Sequence, residues 1–210
     1  RDRPAGGHGR RRRPRPELDS AMASPLSDLD LVNAALVKLG ALPIQGFGDA
    51  DASAGVAAAL YPVVAEATLT AHPWSFTLKR ARLTPLDAAP LADFGVRFAL
   101  PGDFLRAIYL DDRGSSPRYA LVAGELHSDA RDVVLTYQFR PDEAVFPPFF
   151  RAALIAKLAA ELCLPVTEST PRAEALDRLA ERELERAWAI DRAQETPPLV
   201  GDDSLVRVRS

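Results

Sequence analysis

The chain has 210 residues, 47% of them apolar and 26% charged, enough to bury one core or two small ones. Its one cysteine, Cys163, excludes a disulfide framework and falls in an apolar helical stretch, the setting of an inert thiol. No apolar run in the sequence reaches the ~18 residues of a membrane span, and arginine outnumbers lysine 23 to 3, which with the abundance of alanine is the stamp of a GC-rich genome.

Residues 1–21, "RDRPAGGHGRRRRPRPELDSA", carry seven arginines against three acids and precede the only methionine, Met22. A secretory signal needs an apolar stretch, and this segment has none. Its composition cannot bury a core, so the expectation is a disordered basic arm. The functional alternative is an arm whose Arg10 to Arg13 touch DNA or an acidic surface. Residues 22–210 hold 19 basic and 26 acidic side chains, a net of −7, so the part that folds is acidic.

The first helix is signalled by Ser27 as N-cap, Asp30 at the capping-box distance and Gly40 as the stop. Leu29, Val32, Leu36 and Leu39 give it one apolar stripe. After the loop "ALPIQGFGDAD", a second helix is predicted from about Ala52 to Ala71, with Val56, Leu60, Val63 or Val64, and Ala67 inward. Pro62 predicts a kink or break within it. Pro73 disfavours helix at His72 and ends the run, and Trp74 and Phe76 then read as large anchors pinning the helix exit.

From Phe76 to Phe139 the period changes from helix to strand. Strands are predicted at "VRFAL", "FLRAIYLDD", "RYALVA", "ELHSD" and "VVLTYQF", linked by Gly, Pro, Asp and Ser turns as a small antiparallel meander. In the last of them Val133, Leu135, Tyr137 and Phe139 alternate with Val134, Thr136 and Gln138.

Helix returns at Pro147 or Pro148. "PPFFRAALIAKLAAELC" is apolar nearly all round and predicts the central buried helix, with Phe149 as another anchor. A last helix, about 171–193, has Thr170 as N-cap and Pro171 at the first position. Ala173, Leu176, Ala180, Leu184, Ala187 and Trp188 face the core, with Trp188 an anchor, and Arg and Glu cover the rest. The fold class is therefore α+β, mainly α. It is an interrupted helix bundle with halves at 22–75 and 141–195, a β insertion at 76–140, and an extended tail at 196–210.

A search for chemistry yields no catalytic, cofactor-binding or metal-ligand set. His8, His72 and His127 are far apart, and no zinc spacing, phosphate loop or nucleophile elbow is present. Asp111 with Asp112, and Asp202 with Asp203, sit in turn or tail contexts and read as solvated acids. "LKRAR", residues 78–82, offers either phosphate contacts or half of an ion-pair patch; beside an acidic bulk the second reading is favoured. The charged last helix is either a solvated face or an oligomer seam.

The run from Leu31 to Leu86, "LVNAALVKLGALPIQGFGDADASAGVAAALYPVVAEATLTAHPWSFTLKRARLTPL", resembles the start of phage head–tail adaptor proteins, notably the tail tubular protein A family of short-tailed phages. The marks are a Val-Asn opening a helix, Leu-Gly followed by Pro-Ile, and a helix that ends in a closely spaced Trp and Phe. "FALPGDFLRAIYL" and "VVLTYQFRPDEAVFPPFFRAALIAKLAAEL" are similar to the middle and second half of such adaptors, so the resemblance covers about residues 26–195; the basic arm departs from it. It implies a dodecameric ring docked under the portal of a phage, prophage or gene transfer agent particle, at the head–tail junction. DNA would pass through the lumen without specific binding, and a downstream tail or stopper protein would attach below. Neither cofactor nor membrane is implied.

The tail adds a portal contact to these expectations. Pro197 and Pro198 stop the preceding helix, and Leu199, Val200, Leu205, Val206 and Val208 are too apolar for a purely solvated segment. "LVRVR" alternates as an added strand would, and adaptors of the resembled family reach the portal with terminal segments. Ordinary terminal fraying is the alternative. Two other functions compete with the adaptor. One is a nucleic-acid-associated regulatory protein using the Arg-rich arm; the other is a small hydrolase with a dispersed site, which requires polar residues converging in an apolar cleft.

Overall fold

In the computed structural model, which describes residues 26–87 and 94–194, the first helix starts where its sequence predicts. α1 spans Asp28–Lys38. Ser27 Oγ accepts the Asp30 N–H at 3.2 Å and the Asp30 carboxylate accepts the Ser27 N–H at 2.9 Å, a reciprocal capping box. Gly40, at φ +71°, takes the left-handed conformation that ends the helix. Asn33 then holds the following loop: its Nδ2 donates to Ile44 O and its Oδ1 accepts from Ile44 N–H, both at 2.9 Å.

α2 spans Ala52–Thr70 and runs unbroken through Pro62. Ala58, whose carbonyl loses its helical partner to Pro62, lies on the exposed side, where water can replace it. The inward face matches the predicted one in part, since Val64 is buried and Val56 and Leu60 pack on the core. Ala54, Ala57, Tyr61, Val64, Ala65, Thr68 and Leu69 are buried, whereas Val63 and Ala67 are exposed and Val56 and Leu60 half-buried. Apolar residues surround this helix, so the sequence sets its period but not its phase. The small side chains of Ala54, Ala57 and Ala65 let it approach its neighbours. By length and composition α2 is also apolar enough to cross a membrane, which the count of uninterrupted apolar residues missed.

The β segment differs more. Its strands are β1 Leu78–Arg82, β2 Val96–Ala99, β3 Phe104–Asp111, β4 Tyr119–Val122, β5 Glu125–Ser128 and β6 Val134–Phe139. They form two three-stranded antiparallel sheets, in the orders β1-β6-β3 and β2-β5-β4, not one meander. The unpredicted strand is β1, the "LKRAR" run, which pairs from Leu78 with Gln138 to Arg82 with Val134 and so places β6 in the centre. As an edge strand it carries Lys79, Arg80 and Arg82, charges that hide its pattern and also block further pairing. Val133, Leu135 and Tyr137 are buried as the alternation predicts.

Gln138 breaks that alternation. It is buried because its Nε2 lies within hydrogen-bond distance of Leu69 O (3.1 Å), His72 O (2.7 Å) and Thr77 Oγ1 (3.0 Å). Two of these are carbonyls at the end of α2 that no longer have helical partners. One amide therefore joins the sheet to the helices.

α3, Pro148–Thr167, is the buried central helix, with Phe150, Leu154, Leu158, Leu162 and Cys163 fully enclosed. α4, Thr170–Arg192, is preceded by Ser169 in the cap position, so Thr170 is its first residue and not its cap. Ala180 and Ala187 are buried, and Ala173, Leu176, Leu184 and Trp188 pack half-buried on the core, the face predicted. One apolar core draws on all four helices and a second lies in the β segment. Among the described residues the architecture is α+β, four helices with two small antiparallel sheets.

Candidate interaction surface over the helical core

α2 and α4 flank α3 and leave an open groove whose floor is α3. One half, a cavity of about 780 Å³, is lined by Val56, Leu60, Ala160, Leu164, Pro165 and Ala173 among others. The other half is lined by Leu60, Val63, Ala67 and Leu184, and Lys157 and Glu161 border both. Val63 is 65% exposed and Leu164 50%, so the groove offers large apolar side chains to whatever enters it.

Lys157 is the cation of this groove, and it is already committed. Its Nζ donates to Asp177 Oδ1 at 2.8 Å and lies 3.2 Å from Glu161 Oε1. Burial alone would lower its pKa, but the hydrogen bonds and charges of Asp177 and Glu161 outweigh it and raise the pKa. A lysine held charged is no nucleophile, because attack needs the free amine. Among the described residues, Glu174 brings the rim to three acids against this one lysine.

The closest approach to a catalytic constellation lies at the exit of α2. Asp191, buried near the end of α4, accepts from Ser75 N–H at 3.0 Å and from Ser75 Oγ at 2.7 Å, with His72 Nε2 at 3.5 Å. The residue types are those of a serine hydrolase triad, but their order is not. In a triad the imidazole stands between hydroxyl and carboxylate and takes the hydroxyl proton. Here the carboxylate stands between, and the Ser75 hydroxyl donates its hydrogen bond to Asp191 and not to an imidazole. His72 packs edge-on to Trp74 (4.9 Å) and stacked on Trp188 (5.7 Å). Burial lowers its pKa against the opposing pull of Asp191. The cluster is a pin joining α4 to the start of the β segment.

The four sequence anchors gather around that pin. Trp74 is fully buried, and its Nε1 donates to Thr68 O at 3.0 Å. Phe76, Phe149 and Trp188 are half-buried against the same core, with Trp74 6.2 Å from Phe76 and 6.3 Å from Phe149. Leu199, Val200, Leu205, Val206 and Val208 lie outside the described residues, as do the basic arm and the Asp202 and Asp203 pair.

The basic strand engages in ion pairs. Lys79 reaches Asp103 at 2.6 Å and lies over the Phe139 ring at 3.7 Å, and Arg82 pairs with Asp132. Lys79 holds the Asp103 carboxyl below its ordinary range, and Tyr137 also donates to it at 2.9 Å. Asp111 accepts the Gly114 N–H in the turn after β3, where Asp112 pairs with Ser115. Among the described residues no cluster of three His, Cys, Asp or Glu side chains could hold a metal. The groove itself escaped sequence reasoning, although its signal was present: α2 and α3 are apolar on more sides than one neighbour can cover.

The α+β architecture and the groove are therefore the features any functional reading must use. No family model matches this sequence, and no curated protein matches it.

Proposed function

We propose that this chain is a structural head–tail adaptor. Its subunits form a ring, dodecameric as in the family it resembles, below the portal of a phage or phage-like particle. The ring extends the DNA channel and gives the tail or stopper protein its attachment surface; DNA passes without specific binding, and no catalysis or membrane is involved. Within each subunit, α1 and α2 supply one half of a helix bundle and α3 and α4 the other, with the β segment inserted between them as a docking surface.

The observation that carries this reading is the contrast between two faces. α2 exposes Ala58, Ala59, Pro62, Val63 and Ala67 with Glu66 as its one charge, while α4 exposes Arg172, Glu174, Arg178, Glu181, Arg182, Glu185 and Arg186, with Leu179 and Ile190 as its exposed large apolar residues. A ring needs a heterologous contact, in which one face of a subunit meets a different face of the next. Dissimilar faces on opposite flanks of α3 suit that contact. The ordered sequence resemblance over residues 26–195 supplies the particle and the portal, and the acidic balance of residues 22–210 suits a lumen that must not hold phosphates. Immunogold labelling of particles from the producing cells tests the reading. Label at one vertex, between head and tail, supports it; label spread over the head, or absent from particles, overturns it.

A further inference from the structure

We propose that the groove between α2 and α4 is the seat of this chain's own C-terminal segment, residues 197–210. The inference rests on the groove and the sequence of that segment, and not on the adaptor reading.

Reach comes first. The chain leaves the described structure at Gln194, beside the end of α4 at Arg192. Along α4, Leu184 lies about 12 Å and Ala173 about 28 Å back from Arg192, at ~1.5 Å per residue. Residues 195–210 span up to about 50 Å when extended, so the segment can turn back at Pro197 and Pro198 and cover the whole groove. The direction is also right, because the end of α4 adjoins the Leu184 half and the segment meets that half first.

Spacing comes second. The segment carries two apolar pairs, Leu199–Val200 and Leu205–Val206, about 20 Å apart in an extended chain. The groove has two apolar halves, marked on α4 by Leu184 and Ala173, about 16 Å apart along the helix. The first pair fills the half lined by Val63 and Leu184, and the second the half lined by Leu164 and Pro165. Residues 201–204 lie between the two pairs in sequence, and their acids, Asp202 and Asp203, find no free cation in Lys157, which already has two acidic partners.

Charge supports the seat locally: the rim has Glu161, Glu174 and Asp177 against Lys157, an excess of two negative charges. Although Asp202 and Asp203 balance Arg207 and Arg209 within residues 197–210, the two arginines follow the apolar pair assigned to the half that Glu174 and Asp177 line. In the adaptor reading the same segment serves the portal and Ala59, Val63 and Ala67 meet the next subunit, so the groove holds the segment in the free subunit and yields it on assembly and docking.

Cross-linking in the full chain tests this without ring or portal. Cys163 is buried, so added cysteines dominate the reaction. Ser204→Cys is paired with Glu174→Cys on the groove rim, or with Arg182→Cys on the exposed outer side of α4, and treated with a short bismaleimide. The expected result is a cross-link within one chain, about tenfold more abundant at position 174 than at 182, given the high local concentration of a seated segment. Val63→Glu with Leu164→Glu, both at exposed positions, should remove that preference while leaving the unfolding midpoint unchanged. Equal yields at 174 and 182, cross-links solely between chains, or a preference that survives the double substitution would each overturn the proposal.

Discussion

Replacing Trp74 by alanine tests the packing account where it is most exposed to error. The indole is fully buried, meets Phe150 edge-on at 5.0 Å, and donates to Thr68 O at 3.0 Å. Removing a buried Trp side chain costs about 3–5 kcal/mol in lost transfer energy and cavity. Thr68 O lies in the last turn of α2, where its helical partner is missing, so its loss of the indole N–H adds about 1–3 kcal/mol. We expect about 4–5 kcal/mol in total, since the neighbouring rings relax partly into the space. In a chain of this size that lowers the thermal midpoint by about 8–20 °C. Trp74→Phe keeps most ring contacts and loses the hydrogen bond, and should cost about 1–3 kcal/mol. Urea unfolding of the isolated subunit reads both. A loss below about 1 kcal/mol for Trp74→Ala, with assembly abolished, would refute the reasoning and make Trp74 an interface residue.

Asp191→Ala leaves Ser75 without either hydrogen bond and should cost about 3 kcal/mol in urea unfolding, with Asp191→Asn milder; a neutral result for both would remove the pin. Burial holds the His72 pKa below its ordinary 6.5, so the stability tied to its neutral ring is present above that value and lost as pH falls below it. The urea midpoint should fall as pH drops below about 6.5, and His72→Gln should flatten that fall; an unchanged slope in the variant refutes the assignment. Removing residues 1–21, whose composition cannot bury a core, should leave the unfolding midpoint and assembly unaltered. Truncation after Glu195 should leave a folded subunit that no longer attaches to DNA-filled heads; unchanged occupancy would move the portal contact to the bundle or the β segment.

What the sequence disclosed follows from how local each signal was. Ser27 with Asp30, Gly40 and Pro73 fix helix ends through their own backbone chemistry, and the structure places those ends as read. Strands β2 to β6 were legible because apolar and turn residues alternate on a short scale. β1 was not, since three of its five residues are charged and its partner β6 lies more than fifty residues away. The phase of α2 was illegible for the opposite reason: apolar residues on every side leave the choice to α1 and α3. Gln138 and Asp191 were hidden because each is buried by partners remote in sequence, Leu69 and His72 for the one and Ser75 for the other. The groove belongs to this last kind. It exists only because α2 and α4 meet the same helix without covering it.

Ring assembly is read by electron microscopy of the purified chain mixed with the portal protein of the proposed particle. The account predicts a closed ring coaxial with the portal, its lumen continuous with the portal channel, with α2 of one subunit facing its neighbour. A chain that stays monomeric beside an unaltered portal, at concentrations where both are folded, would contradict it.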